Sequence, residues 1–379
     1  MAQIHIPAVF MRGGTSKGMF FMADNLPLER VQQDAIFLQS LGSPDVYGRQ
    51  LNGMGGGVSS LSKAVILSKS ASPDIDIEYN FAQISVGTAD VDYSTTCGNL
   101  SSAVGPFSID HGLIEATGRM TLVRIRSVNT GKIYHAHIPT NDGKFDEQGS
   151  FTIPGVSGAG SQIRLDYLDP GGATTGFLLP TGNVSDIIHL KGEDPIEVSI
   201  IDASTGQVVV AIDRFGLSGA EQVDELEANK ELMMLLDRLR RACGVLMGLA
   251  SSPKDVPLGN PRIALVAPLT PYKTLADQSI QQGDAHLSTR ITSMGQIHRV
   301  MPLTGAMCLG VACRIKGSVA NKLAGDTTGD LLFANPSGVL PVDANVVFEN
   351  EEWVAKSVTV YRTARALMEG NVLIPNTYT

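Results

Sequence analysis

Tyr93-Ser-Thr-Thr-Cys97-Gly98-Asn99-Leu-Ser-Ser-Ala-Val-Gly-Pro-Phe-Ser-Ile109 holds a strand end, a polar turn and a run of small and apolar residues in immediate succession. The pattern predicts a strand ending near Tyr93 and a closely packed helix through Ser101, Ser102, Ala103, Val104 and Gly105. A thiol, Cys97, then stands at a helix N-terminus. The first turn of a helix has free N–H groups and the positive end of the helix dipole, so it attracts anions and suits a thiolate. Gly98 lets the backbone approach a ligand with no Cβ in the way. Taken alone, a buried cysteine in an ordinary helix cap fits the stretch equally well.

The rest of the chain narrows the choice. Its 379 residues are 43% hydrophobic, enough for a large core and, by length, two domains. A net charge of −9 argues against nucleic acid and against an anionic membrane surface as partners. An anionic substrate would have to be held by local groups against that field. No apolar run reaches the roughly 18–20 residues that span a bilayer. Met1-Ala-Gln-Ile-His-Ile-Pro7 lacks the basic start and apolar core of a signal peptide. Four cysteines without a CxxC pair make neither a disulfide framework nor a zinc site. The cytoplasm is the expected compartment, no metal or cofactor is expected, and a homodimer is carried as the expected assembly.

Upstream of the opening stretch, residues 2–10 alternate as a strand. Met11-Arg12-Gly13-Gly14-Thr15-Ser16-Lys17-Gly18 interrupts it, and Met19–Met22 resumes. This turn carries Arg12, Ser16 and Lys17, all able to hold an anion, but not the spacing of a P-loop. Leu28–Leu41 reads as a helix. Leu51-Asn-Gly-Met-Gly55-Gly56-Gly-Val-Ser-Ser-Leu-Ser-Lys63 follows and leads into a strand at Ala64–Leu67. So many glycines before a strand suggest a backbone shaped around a ligand. Lys63 reads either as a strand-edge lysine with its head in water or as a desolvated amine able to act as a base.

Downstream, Asp76–Val86 alternates as a strand, and Met120–Arg126 with Lys132–Pro139 forms a hairpin. His135 and His137 share a face of it, more often a structural pair than a metal site. Short strands are expected near 149–153 and 163–168. Leu179-Pro-Thr-Gly-Asn183 repeats the Gly-Asn theme, and the domain boundary is placed beside it, giving halves 1–184 and 185–379, with the last segment able to pack back on the first. Ile196–Ile201 and Val208–Ile212 read as a hairpin with Gly206 in its turn. Asp224 to about Gly248 reads as one long helix with Leu226, Leu232, Leu236 and Leu239 on its core stripe. Arg262–Ala267, His286–Thr292 and Gln296–Met301 read as strands. Pro302-Leu-Thr304-Gly305-Ala-Met-Cys308-Leu-Gly-Val-Ala312 then echoes the opening stretch, a weak internal repeat.

Two halves that each present a helix N-terminus after a Gly-containing turn suit a molecule with two or more carboxylates. A carbon acid beside a carboxylate needs a placed base and donors for the developing enolate. Lys63 and Cys97 supply a base and an acid. The outcome is racemisation, epimerisation or a double-bond shift without a cofactor. No Rossmann fingerprint, P-loop, HExxH or GxSxG is present to suggest otherwise.

Pro7-Ala-Val-Phe-Met-Arg-Gly-Gly-Thr-Ser-Lys-Gly18, Asn52-Gly-Met-Gly-Gly56 with Ser62-Lys63, Cys97-Gly-Asn99, Leu179-Pro-Thr-Gly-Asn183 and Arg362-Thr-Ala-Arg365-Ala-Leu-Met-Glu-Gly370 together resemble the PrpF-like isomerases. The family includes 2-methylaconitate cis-trans isomerase, 3-methylitaconate delta-isomerase and 4-oxalomesaconate tautomerase, and the resemblance runs from about residue 5 to 375. It implies an α/β (α+β) diaminopimelate epimerase-like fold, two pseudo-symmetric domains each with a sheet or barrel wrapped around a central helix. It also implies cofactor-independent allylic proton transfer on an unsaturated tricarboxylate of the 2-methylaconitate or aconitate type, with Lys63 and Cys97 as the catalytic pair. Arg12, Ser16, Gly55, Gly56, Gly98, Asn99, Asn183, Thr304 and Gly305 are the expected substrate contacts. The distant epimerases carry a second cysteine before their second helix; here the matching position is about Pro302, and Cys308 reads as core. That departure disfavours an amino-acid racemase. A non-catalytic carboxylate-binding protein is the remaining competitor, and it predicts binding without solvent exchange.

Overall fold

The computed structural model describes residues 3–375. The chain divides into two compact units: the described residues up to Asp166 together with those from Tyr361 onward, and Tyr167–Val360. The expected boundary at 184/185 falls inside the second of these, and the last segment counts with the first. Among the described residues no helix is long and apolar enough to cross a membrane.

In the first unit, β1 (Gln3–Gly13) and β2 (Ser16–Met22) form an antiparallel hairpin, and the final strand, Ala364–Pro375, pairs with the other edge of β1. Helix α1 (Arg30–Leu41) ends at Gly42. Strand β2 runs parallel to β3 (Lys63–Lys69), which is antiparallel to β4 (Ile77–Ile84). After α2 (Ser101–Asp110) comes β5 (Met120–Ser127), parallel to β4, then β6 (Ile133–Asn141), antiparallel to β5. Every residue of α2 from Ser101 to Ile109 is buried. Phe107 stacks 5.8 Å from Phe20 on β2. On the far side, a Cβ added to Gly105 would fall 2.5 Å from Ile138 Cδ1 on β6. A helix that touches both early and late strands has the sheet curled around it, and the small residues of the opening stretch are what allow that close approach.

The second unit repeats the plan. Strands β7 (Ile196–Asp202) and β8 (Gly206–Ala211) are antiparallel. Helices α3 (Val223–Ala228) and α4 (Lys230–Leu246) follow. Strand β9 (Arg262–Pro268) is parallel to β8, and β10 (Leu287–Ser293) is antiparallel to β9. After α5 (Leu303–Arg314), β11 (Leu331–Asn335) is parallel to β10, and β12 (Gly338–Glu349) is antiparallel to β11. The sequence of pairings and the place of the buried helix match those of the first unit. Two details fix the alignment. A Cβ on Gly310 would meet Val342 Cγ1 on β12 at 2.7 Å, as Gly105 meets Ile138. Cys97 O accepts from Ser101 N at 3.0 Å, and Pro302 O accepts from Ala306 N at 2.9 Å. Cys97 and Pro302 therefore occupy the same place before their helices. Lys63 and Arg262, each the first residue of the third strand, form a second such pair.

Local details depart from the sequence reading. The long helix breaks at Asn229, whose side chain accepts from Leu232 N and so caps α4. The apolar period runs through the break: Leu226, Leu232, Leu236 and Leu239 are all buried. Gly206 is a strand residue paired with Asp202, and the turn lies between them, with Ser204 at φ 64°. Residues 149–153 are not a strand; Phe151 makes one isolated bridge to Gly160. Within Gln296–Met301 only Gln296–Ile297 is strand.

Candidate active site

In the first unit, β4 organises the site. Its residues Tyr79, Phe81 and Gln83 lie on one face, as alternation along a strand requires. Gln83 sits opposite Lys63 in the ladder, and Lys63 Nζ donates to Gln83 Oε1 at 2.5 Å. The Gln83 amide is held in turn by the carbonyls of Ser62 and Ser59, at 2.9 and 3.1 Å. Lys63 Nζ also lies 5.0 Å over the Phe81 ring. Lys63 is only 8% exposed, and among the described residues no carboxylate lies within ion-pair distance of it. Its amine thus has a neutral amide and an aromatic face for company.

Tyr79 OH donates to Cys97 O at 3.3 Å. Asn129 donates to the carbonyls of Phe81 and Tyr93, tying β4 to the segment that leads into Cys97. Cys97 is 8% exposed, and its Sγ accepts from Leu100 N at 3.5 Å, so the sulfur lies over the first turn leading into α2. A Cβ on Gly18 would lie 2.7 Å from Lys63 O and 3.0 Å from Leu100 Cδ1, which places the start of β3 beside the start of the helix.

The β1–β2 turn packs on the same place. Gly14, at φ 51°, would push a Cβ to 2.4 Å from Asn99 Oδ1, and Gly13 would push one to 2.7 Å from Asn99 O. Asn99 Nδ2 donates to Thr15 Oγ1 at 3.1 Å, and Arg362 Nε donates to Asn99 Oδ1 at 3.4 Å. Arg12 donates to the carbonyls of Gly14 and Thr363, both at 3.0 Å. Burial, and then the charge of Arg365 across the ladder, pull the Arg12 guanidinium below its ordinary value. Ser16 is buried opposite Gly13. In a chain of net charge −9, this corner gathers Arg12, Lys17, Arg362 and Arg365.

Other expected contacts have local explanations. Gly55 and Gly56 pack against the side chains of Gln50 and Leu61. Gln50 is buried at the centre of that loop, accepting from Gly57 N and Ser62 Oγ and donating to Ser43 Oγ. In the second unit, Asn183 donates to Asp186 at 2.8 Å. Thr304 accepts from Arg262 Nη1 at 3.0 Å in the first turn of α5, which no side chain caps. Cys308 is buried inside α5 with its thiol pushed up by burial, which marks it as core. His137 pairs with Asp166 at 2.9 Å. Gln83, Arg362 and Arg262 were not singled out from the sequence. Arg362 stands in a motif quoted for resemblance; the other two acquire meaning only from strand register.

Comparison with known proteins agrees with this fold. The PrpF protein family matches residues 3–375. The 2-methyl-aconitate isomerase of Shewanella oneidensis is 36% identical, with 98% of each chain covered. The 3-methylitaconate isomerase of Eubacterium barkeri is also 36% identical, again over 98% of each. A crystal structure of methylitaconate-delta-isomerase superposes with a TM-score of 0.92 at 34% identity, covering 100% of this chain and 99% of that one. A hydroxyproline epimerase from Agrobacterium vitis shares the fold at a TM-score of 0.50 and 11% identity, with 98% of this chain and 94% of that one covered. The two-unit architecture, each unit built on a buried helix, is that of the epimerase-like isomerases. Within that class, the chain belongs to the PrpF family.

Proposed function

We propose that this isomerase moves a proton across an allylic system in an unsaturated tricarboxylate of the 2-methylaconitate or aconitate type. The observation that carries the reading is Lys63: a buried amine hydrogen-bonded to an amide rather than paired with a carboxylate, on the strand face that also anchors Cys97. Such an amine is not committed to an ion pair, and on this reading it takes a proton from carbon. Lys63 removes the proton beside the double bond. The electron pair spreads into the adjoining carboxylate, and donors at Gly98, Asn99, Arg12 and Ser16 hold the negative charge that develops. Cys97 S–H, or protonated Lys63, returns a proton to shift the double bond or to give the other geometric isomer after rotation. Thr304, Gly305 and Asn183 remain proposed contacts, with Asn183 the weakest because Asp186 already engages its amide. The epimerase's second thiol has no counterpart, since Pro302 stands in its place, which supports a lysine-led transfer over a two-thiol inversion.

A second substrate, 3-methylitaconate, is favoured by the equally similar relative and by the solved structure of that activity. Four free, buried cysteines support placement in the cytoplasm, and a homodimer is part of the same reading, to be checked by sedimentation. The test is NMR in heavy water with 2-methylaconitate, aconitate, 3-methylitaconate and oxalomesaconate, following deuterium uptake and double-bond position. Wild type should exchange and isomerise at least one. Lys63→Ala should lose exchange by roughly 10³-fold or more; full exchange in that variant removes the role of Lys63.

A further inference from the structure

We propose that Gln83 is the positioning residue of Lys63: its side-chain oxygen holds the amine in both protonation states and fixes the directions left to the lone pair. The proposal deepens the isomerase reading and rests on it for the role of Lys63. All the residues it uses belong to the first unit.

Register brings the two side chains together. Lys63 opens β3 and lies directly opposite Gln83 near the end of β4. Directly opposed residues of antiparallel strands have Cβ atoms about 4.5–5.5 Å apart on one face. A lysine at a strand start ordinarily carries its head into water. This one is 8% exposed, with Nζ 2.5 Å from Gln83 Oε1 and 5.0 Å over the ring of Phe81, the neighbour of Gln83 on the same face of β4.

The Gln83 nitrogen decides which way the amide points. Nε2 donates to Ser62 O at 2.9 Å, Ser59 O at 3.1 Å and Ile84 O at 3.3 Å. Turned over, the amide would aim its oxygen at three carbonyl oxygens and its NH2 at an amine. Those contacts would be repulsive or unmade, so the oxygen faces Lys63. The carbonyls are held independently of Gln83. Ser62 O also accepts from Ile84 N at 3.0 Å, and Ser62 N donates to Ser59 O at 3.4 Å. Ser62 Oγ donates to Gln50 Oε1 at 2.6 Å and to Val58 O at 2.9 Å, and Ser62 is 0% exposed. The amide is therefore seated in a frame that is already built.

The chemistry of an amide suits a base that must change its proton count. An amide oxygen accepts from an ammonium and from a neutral amine alike, because both carry N–H. A carboxylate in its place would favour the ammonium and keep the base charged. An apolar side chain would leave a buried amine without a partner. Of the three, only the amide holds the nitrogen still through both states. With one N–H committed to Oε1, the lone pair of the neutral amine takes one of the remaining directions, none of which points at Gln83. The orientational search of an unanchored lysine is removed before the proton is taken.

The experiment uses the full chain with Gln83→Glu, Gln83→Met and Gln83→Asn. It measures steady-state kinetics across pH on whichever acid the wild type isomerises, and calorimetric binding of tricarballylate, a saturated tricarboxylate that cannot react. It also measures the rate at which cyanate carbamylates Lys63, read by peptide mass spectrometry against wild type at the same pH. Gln83→Glu should lower kcat at neutral pH about tenfold to a hundredfold and move the acid limb of kcat upward by about one to two pH units. Its carbamylation should slow by the same factor. Gln83→Met should lower kcat about tenfold with no upward move of the acid limb, and both should change tricarballylate binding far less than kcat. A merely structural glutamine would lower Tm without moving the acid limb or the labelling rate, and that result overturns the proposal, as does wild-type kcat in both variants. Should neither fold, Gln83→Asn decides, since it keeps an amide but withdraws it by one methylene: lowered kcat with altered labelling supports the proposal, and wild-type values for both overturn it. If Lys63→Ala exchanges fully, or the wild type isomerises none of the acids, the proposed function falls by itself. Slowed carbamylation in Gln83→Glu would still keep the hold of Gln83 on Lys63, and unchanged carbamylation would overturn it.

Discussion

The two helix starts are built to the same plan and furnished differently. Before α2 stand a thiol, which receives the N–H of Leu100, and a lysine at the head of β3. Before α5 stand a proline and an arginine at the head of β9. The first pair can exchange protons on the proposed reading. The second holds no group that trades protons at neutral pH. The same fold is thus furnished twice with different chemistry: proton transfer needs groups that change protonation state, and a proline and an arginine do not. The comparison also accounts for Pro302. A ring without an N–H fixes the backbone ahead of α5 and offers no side chain to occupy the helix donors.

The comparison can be broken most severely at the sulfur. Cys97→Ala should lower kcat about a hundredfold or more while leaving tricarballylate binding close to wild type, because it removes the group proposed to return the proton and leaves the proposed carboxylate donors in place; stopped assays beside calorimetry read both. A variant with wild-type kcat would make Cys97 a cap and nothing more. Next comes the packing that holds the first site together. Gly13→Ala puts a Cβ 2.7 Å from Asn99 O and 3.0 Å from Leu100 Cα, so the turn or the helix start must move. A loss of about 1–3 kcal/mol in urea unfolding is expected, with activity falling alongside it. The smallest effect sharpens the second site. Pro302→Ser supplies an N-cap hydroxyl for the first turn of α5, worth about 0.5–2 kcal/mol where a cap is missing. It should raise Tm slightly and raise KM a few-fold, since the hydroxyl competes with the ligand for the same donors. A rise in Tm with no change in KM would show that those donors do not meet substrate.

The opening stretch was legible because its signal is local. Small residues, a glycine and a thiol in sequence order fix both the helix and its close packing, and Gly105 and Gly310 show the reason physically. The echo at Leu303-Thr304-Gly305 was legible for the same cause. The break at Asn229 was not, because the apolar period continues across a side-chain cap. Gly55 and Gly56 pack against the side chains of Gln50 and Leu61, close neighbours in sequence, a contact that the run of glycines does not announce. Gln83 was invisible for a different reason. A glutamine in an alternating strand is ordinary, and only the register that sets it opposite Lys63 makes it unusual.

The burial of α2 from Ser101 to Ile109 has a further consequence, in time rather than in space. A helix covered on every side opens only when the surrounding sheet opens, so its amides belong with the slowest to exchange with solvent hydrogen. Cys97 hangs from the first turn of that helix through Ser101 N and Ser101 Oγ, both bonded to its carbonyl. The sulfur is therefore moored to the most slowly opening part of its unit, while Ser94 and Thr95 just ahead of it are exposed. Hydrogen-exchange mass spectrometry should find that contrast within a few residues of Cys97.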